Sequence, residues 1–303
     1  MVWLTYNGKG LTSHAGYGLG YDSAPNPNPL NLPPYTARIE CEAGWTPTFN
    51  NTSKTQVSVS PNVWDITYEN TSWNMLFSGW IDSNKRKIIR VLGANTENVT
   101  RMDRVLDSQP NLVEVELFDT SNCITMGYAF ANCSSLASIP DFNYSSMLAI
   151  DYMLSGTALA SFSGASFPEC IQATGVFSAC TLLASCGPLN LPKANAIVSM
   201  FGGCSALTEA PSITLGAQGI NANGVFNHCT SLRRVPLYDT SEMVRVDYMF
   251  DGCTSVESGA LALYQQMSTQ ATVPYPHQYC FGNCGSNTVT GAAELAQIPS
   301  DWK

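Results

Sequence analysis

The stretch VFNHCTSLRRVPLYDTSEMVRVDYMF, residues 225–250, holds two phenylalanines 24 apart, Phe226 and Phe250. Each is followed by a cysteine at three residues and an apolar side chain at six: Cys229 and Leu232, then Cys253 and Val256. Phe-x-x-Cys recurs at Phe130/Cys133, Phe177/Cys180, Phe201/Cys204 and Phe281/Cys284, six copies in all. The spacings between these phenylalanines are 47, 24, 25, 24 and 31, and the longest divides into 24 and 23 if Leu154 stands in the aromatic position. Leu106 lies 24 before Phe130, and Phe77 is a weaker copy ahead of an insertion around DSNKRK.

A unit of about 24 residues cannot bury its apolar positions alone, so the units must stack and share one continuous core. The expected fold is a leucine-rich-repeat-like solenoid with one short strand per unit, paired in parallel, and turns or short helices between. Its core ladder runs through Phe130, Cys133, Phe177, Cys180, Phe201, Cys204, Phe226, Cys229, Phe250 and Cys253, with Leu112, Leu136, Leu159, Leu183, Leu207, Leu232 and Val256 beside it. One cysteine per rung does not converge on a point as metal ligands must, and equivalent side chains on parallel rungs point the same way rather than at one another. Buried thiols acting as small apolar side chains with a weak donor fit better. A disulfide among Cys41, Cys123, Cys170, Cys186 and Cys280, which lie off this ladder, is the alternative. In FSACTLLASCGPL (177–189), Cys186 takes the place that the rungs before and after it fill with Ile139 and Ala210.

The pattern resembles the bacterial surface-antigen (BspA-like) leucine-rich repeats. The segments that carry the resemblance are YAFANCSSLASIPDF (128–142), SMFGGCSALTEAPSI (199–213), residues 225–250 and FDTSNCITM (118–126). The resemblance implies a curved solenoid used for attachment or protein contact on bacterial surfaces, and similar repeats occur in structural proteins of phages infecting gut bacteria. The rung at 154–176 departs from the pattern, with FSGASF where Ile-Pro is expected, and predicts an irregular turn there.

Outside the repeats (74–257), residues 1–34 read as an arm ending in the Pro-rich NPNPLNLPP. Residues 35–73 alternate and are β-branched, as a small β cap would be, and 258–303 carry two short helical patterns, GALALYQQMSTQ and TGAAELAQIPSDWK, suited to covering the last rung.

Charged residues make up 12% of the chain and the formal charge is -9, with 14 Lys and Arg against 23 Asp and Glu. That balance repels phosphate backbones and argues against nucleic acid as a partner. No apolar run is long enough to span a membrane, and the opening residues lack the basic and apolar regions of an ordinary secretory signal. No paired-carboxylate, P-loop, GxSxG or HExxH pattern occurs. His277 with Cys280 is the remaining nucleophile candidate, and the Asp-Thr-Ser triplets at 119–121 and 239–241 read as turn caps.

The residue two after each conserved apolar position is Glu114, Ser138, Ser161, Ser185, Glu209, Arg234 and Ser258, with Arg233 adjacent. If it faces outward, the sheet is flat and small in the middle and charged at its ends. The reading is therefore a non-enzymatic protein without metal or cofactor. Its setting is expected to be a phage virion, with the arm fastened to other virion proteins and the solenoid contacting a bacterial surface protein, a glycan or a second copy. A bacterial cell-surface adhesin is the alternative, and a thiol-dependent enzyme the remote one.

Overall fold

The computed structural model describes residues 2–6, 11–15, 35–44, 46, 54–68, 87–270, 273–274 and 276–303. The Pro-rich linker and the weak copy at Phe77 lie outside the described residues.

Within the expected arm, β1 (Val2–Tyr6) and β2 (Leu11–Ala15) pair antiparallel, with Val2 opposite Ala15. The expected β cap consists of β3 (Tyr35–Cys41), β4 (Lys54–Ser60) and β5 (Val63–Tyr68). It gains β6 (Ile88–Ala94), which pairs antiparallel with β3 on one edge and parallel with β7 (Glu114–Val115) on the other. Strand β6 thus converts an antiparallel sheet into the first parallel rung.

Beyond it the strands are short and parallel: β8 (Ser161–Phe162), β9 (Ala165–Ser166), β10 (Ser185–Cys186), β11 (Leu189–Leu191), β12 (Ile213–Leu215), β13 (Ile220–Asn221) and β14 (Met243–Arg245). They form small sheets ordered β10-β8, β12-β11-β9 and β13-β14. A further line of parallel bridges joins Arg101, Thr125, Ala149, Gln172, Ala196 and Asn221, one residue per repeat. Many short parallel strands in small sheets, with few helices, are consistent with a repeat solenoid. Three parallel lines, two of short strands and one mostly of single bridges, replace the one expected.

The anchors Leu106, Phe130, Leu154, Phe177, Phe201, Phe226 and Phe250 occupy equivalent places. Each donates its backbone N–H, at 2.8–2.9 Å, to the carbonyl of the residue just before the next anchor, as Phe177 does to Met200 and Phe201 to Val225. Both leucines therefore occupy the aromatic position. The anchors sit in tight turns rather than helices, because the residues two before and two after each one have positive φ: Tyr128 and Asn132 around Phe130, Tyr248 and Gly252 around Phe250. Alternating the two helical hands turns every second N–H toward the next rung. Tyr128, Phe130 and Asn132 accordingly donate to Asp151, Met153 and Ser155 at 2.8, 2.9 and 2.7 Å. A non-glycine residue in this region costs about 1 kcal/mol or more, and these inter-rung bonds offset it. At Gly175 (φ 61°) the lack of a side chain makes room for a neighbour: a Cβ there would lie 2.4 Å from the Tyr152 ring.

Inside, the rings form a column. Phe177–Phe201, Phe201–Phe226 and Phe226–Phe250 stack at 5.1, 5.4 and 5.3 Å, within 15° of parallel. Phe281 extends the column at 6.1 Å. At Leu154 the column breaks, and two rings from outside the anchor series flank the gap: Phe142 stacks on Phe130 at 5.9 Å and Phe162 lies 5.0 Å from Phe177.

The thiols explain why cysteine recurs. Cys133, Cys180, Cys204, Cys229 and Cys253 are wholly buried, and each Sγ lies 3.0–3.2 Å from the anchor carbonyl of the preceding rung. In the Leu154 rung, Thr157 stands in the cysteine's place, donates to the Leu154 carbonyl at 2.9 Å and meets Cys180 Sγ at 3.3 Å. The position thus calls for a small side chain with a donor.

All eleven cysteines are free thiols. Two of those that lie off the Phe-x-x-Cys ladder belong to a second one rather than to a disulfide. Cys123 and Cys170 each precede a bridging residue by two, as do Met147 and Ala194, all four are buried, and both thiols donate to the carbonyl two residues on at 3.2 Å. Cys186 pairs with Phe162, not Ile139, because the FSGASF segment puts Phe162 in the neighbouring rung.

The last rung is closed by α1 (Ala260–Ser268), α2 (Val289–Gln297) and a 3₁₀ turn at Ser300–Trp302. Glu294 of α2 accepts from the N–H groups of Gly259 and Leu261 at the start of α1, and the Trp302 carbonyl accepts from Phe281 N–H at 2.9 Å. That carbonyl takes the part a further rung would play. No described helix is long and apolar enough to cross a membrane.

Candidate functional site

The strand that follows each conserved leucine is short, and the chain turns inward again soon after it. Glu114, Ser138, Ser161, Ser185, Glu209, Arg233 and Arg234 are all exposed, while Ser258 is half-buried. The parallel register pairs Arg90 with Glu114, Ser161 with Ser185 and Arg234 with Ser258. These positions therefore lie in one row along the stack. Simple in–out alternation fails, because the preceding residue is exposed too. Val113, Ala137, Ala160, Ala184, Thr208, Arg233 and Glu257 make a second exposed row, and the next buried residues are Val115, Phe162 and Val235. Arg233 belongs to this second row, beside Arg234 in the first.

The result is a strip two residues wide. Its middle, Ala137, Ser138, Ala160, Ser161, Ala184 and Ser185, has no side chain larger than a hydroxymethyl and no charge. At one end Arg90 bridges Glu40 at 2.8 Å and Glu114 at 3.1 Å. At the other, Arg233 meets Glu257 at 2.9 Å. With more than half of both the Arg233 and Glu257 side chains exposed, that pair adds little stability and leaves its charges available to a partner.

The chemistry of a nucleophile is not assembled around His277. Its Nδ1 faces the Pro274 carbonyl at 2.8 Å, its Nε2 faces Asp301 at 3.4 Å, and its ring stacks on Trp302 at 4.1 Å. Cys280 is wholly buried, and burial drives its thiol well above the ordinary range. The same cause pushes Cys41, Cys123, Cys133, Cys170, Cys186, Cys229 and Cys284 up to about 12. A reactive cysteine requires the opposite shift.

The Asp-Thr-Ser triplets close turns. Asp119 accepts from Ser121 N–H at 2.8 Å and Asp239 from Ser241 N–H at 3.0 Å, and these bonds hold both carboxyls below the usual carboxylate range. Thr120, at the middle of the first triplet, reaches across to the Asn143 carbonyl of the next rung at 2.7 Å.

Comparison with known proteins bears on the first rungs. Residues 71–185 match a family described as Mycoplasma protein of unknown function, DUF285. That family is related to the BspA-like leucine-rich repeats, and the matched span carries the anchors Leu106, Phe130, Leu154 and Phe177. No curated protein and no solved structure matches the chain.

Proposed function

We propose that the chain is a non-enzymatic recognition protein of the leucine-rich-repeat type, a solenoid whose exposed strip makes contact with another macromolecular surface. The observation that carries this reading is the strip itself. Three successive rungs present only alanine and serine, in register, with charge confined to the two ends. A flat partner can approach such a backbone closely, while Glu114, Glu209, Arg233 and Arg234 set its orientation. The raised thiols and the engagement of both His277 nitrogens support a role without bond chemistry.

The setting we favour is a phage virion, in which residues 1–34 fasten the solenoid to other virion proteins and many displayed copies turn weak contacts into avidity. A bacterial cell surface is the second reading, favoured by the relation of the matched family to the BspA-like repeats. Mass spectrometry of purified particles and of peptides shaved from intact cells separates the two. For the strip, labelled protein is allowed to bind bacterial cells or particles, with Ser161→Glu/Ser185→Glu as the variant. Loss of binding with an unchanged melting curve is expected; undiminished binding would remove the strip from the contact.

A further inference from the structure

Beside the strip, between the segments that carry Phe142 and Phe162, lies a slot. Strand β9 bonds to β11, and among the described residues its sheet ends there. The segment it would otherwise pair with, on the preceding rung, kinks away where Phe142 N–H closes on the Pro140 carbonyl at 2.9 Å. On the other side Gly164 and Gly187 bring their backbones so close that a Cβ on Gly187 would lie 2.0 Å from the Ser163 carbonyl, which draws β9 toward the following rung. The two segments part, and a cavity of about 450 Å³ lies between Asp141, Phe142, Asn143 and Tyr144 on one wall and Phe162 and Ser163 on the other. That volume is in the range of small-molecule sites.

Each ring of the walls packs against a further ring. Phe142 is braced by Phe118 at 4.7 Å, Tyr144 by Phe167 at 4.6 Å and Phe162 by Phe177 at 5.0 Å. Around this aromatic floor stand one carboxylate, Asp141, one amide, Asn143, and the serine hydroxyls of Ser145, Ser163 and Ser166. Asn143 spends its Oδ1 on Ser145 N–H at 3.0 Å, which leaves its Nδ2 as a donor. The Tyr144 hydroxyl is buried without a partner, so this wall has a polar group that the protein itself leaves unsatisfied. No lysine, arginine or histidine is among the lining residues, and the chain carries a charge of -9. An anion would find no counter-charge, and a purely apolar molecule would strand the rim. A neutral ring with one apolar face and peripheral hydroxyls meets both requirements.

We propose that this slot is a binding subsite for one sugar ring of a neutral glycan, its apolar face against Phe142 and Phe162 and its hydroxyls on Asp141, Asn143 and Ser163. The proposal rests on the reading of the chain as a recognition protein and names the ligand class of its surface.

The test is an array of neutral, sialylated and sulfated oligosaccharides probed with the full chain, followed by calorimetry on the best neutral ligand. Two variants accompany it: Ser163→Trp, which fills the slot from an exposed position, and Asp141→Ala, which removes the rim carboxylate. Binding of neutral glycans is expected, weakened at least about tenfold by Ser163→Trp and about fivefold by Asp141→Ala, with unchanged melting curves. Absence of neutral-glycan binding at about 10 mM, preference for the anionic ligands, or equal affinity in both variants would overturn it. Glycan binding that survives Ser161→Glu/Ser185→Glu while cell attachment is lost keeps the slot and the strip distinguishable. Attachment that persists without any glycan binding removes the slot alone.

Discussion

At the scale of single residues, the ladder cysteines answer to two demands at once. The thiol must be small enough for a wholly buried gap and must donate to a carbonyl one rung away, as Cys204 Sγ does to Phe177 at 3.0 Å. Thr157 fills the same small buried place without sulfur, its hydroxyl donating instead to the carbonyl of its own anchor, Leu154, at 2.9 Å. Cys204→Ser, which keeps a donor, is expected to cost less stability than Cys204→Ala, whose penalty combines the lost bond and a small cavity at about 1–2 kcal/mol. Urea midpoints of the two variants check it; equal penalties would reduce the thiol to a space-filler. Asp151 is a second case. Its carboxylate accepts from Thr174 N–H at 2.8 Å, yet burial, with a contribution from Asp103, raises its pKa above the ordinary value. The folded chain therefore binds this proton more tightly than the unfolded one. The stability Asp151 contributes is fully present below the unfolded value, about 3.9, and is lost as pH rises through the raised one. Asp151→Asn keeps an acceptor without the buried charge. It should stabilise the protein at pH 7, with the gain shrinking as the pH of the thermal melts is lowered through that window.

At the scale of the elements, the break at Leu154 separates what a repeat pattern predicts from what packing permits. Every anchor beyond it is phenylalanine, so restoring the consensus with Leu154→Phe looks favourable from the pattern alone. The structure has already filled the flanking space with Phe142 and Phe162. Overpacking typically costs about 1–3 kcal/mol, and Leu154→Phe should lower the unfolding midpoint correspondingly; a higher midpoint would mean that the gap is real. The period of 24 made the anchors, the parallel stacking and both leucine substitutes legible, because a shared core forces the same residue type to recur. The turns were not legible. Their left-handed positions hold Tyr128, Ala179 and His228 as well as glycines, so no residue type marks them. The second ladder escaped for the same reason, its places being taken by Cys123, Met147, Cys170 and Ala194. Strand β6 lay in a run without alternation, and the β1–β2 pairing had only an Asn7-Gly8 dipeptide between two β-prone runs to announce it. As for the strip, its first row was readable from the spacing after each leucine, whereas the second row and the slot depend on where the chain bends inward.

At the scale of the whole molecule, a stack in which each rung bonds only to its neighbours has stability that varies along its axis, and its ends decide how it opens. The C-terminal end is held by a small set of contacts. The Trp302 carbonyl occupies Phe281 N–H, the Trp302 ring lies 6.4 Å from that of Phe281 and 5.4 Å from that of Tyr264, and Glu294 caps the start of α1. Deleting residues 289–303 removes all of these while leaving every Phe-x-x-Cys copy in place. Because the ladder thiols are buried, each becomes reactive only when its own rung opens, so the rate of native-state alkylation reports local stability residue by residue. The deletion should speed labelling of Cys280 and Cys284 at least about tenfold, equivalent to about 1.4 kcal/mol, with a smaller effect at Cys253 and none at Cys133. The measurement is mass spectrometry of alkylated peptides over a time course, on the full chain and the deletion side by side. A uniform acceleration at all the ladder cysteines would show instead that the rungs open together, and that the cap stabilises one cooperative unit rather than the end it covers.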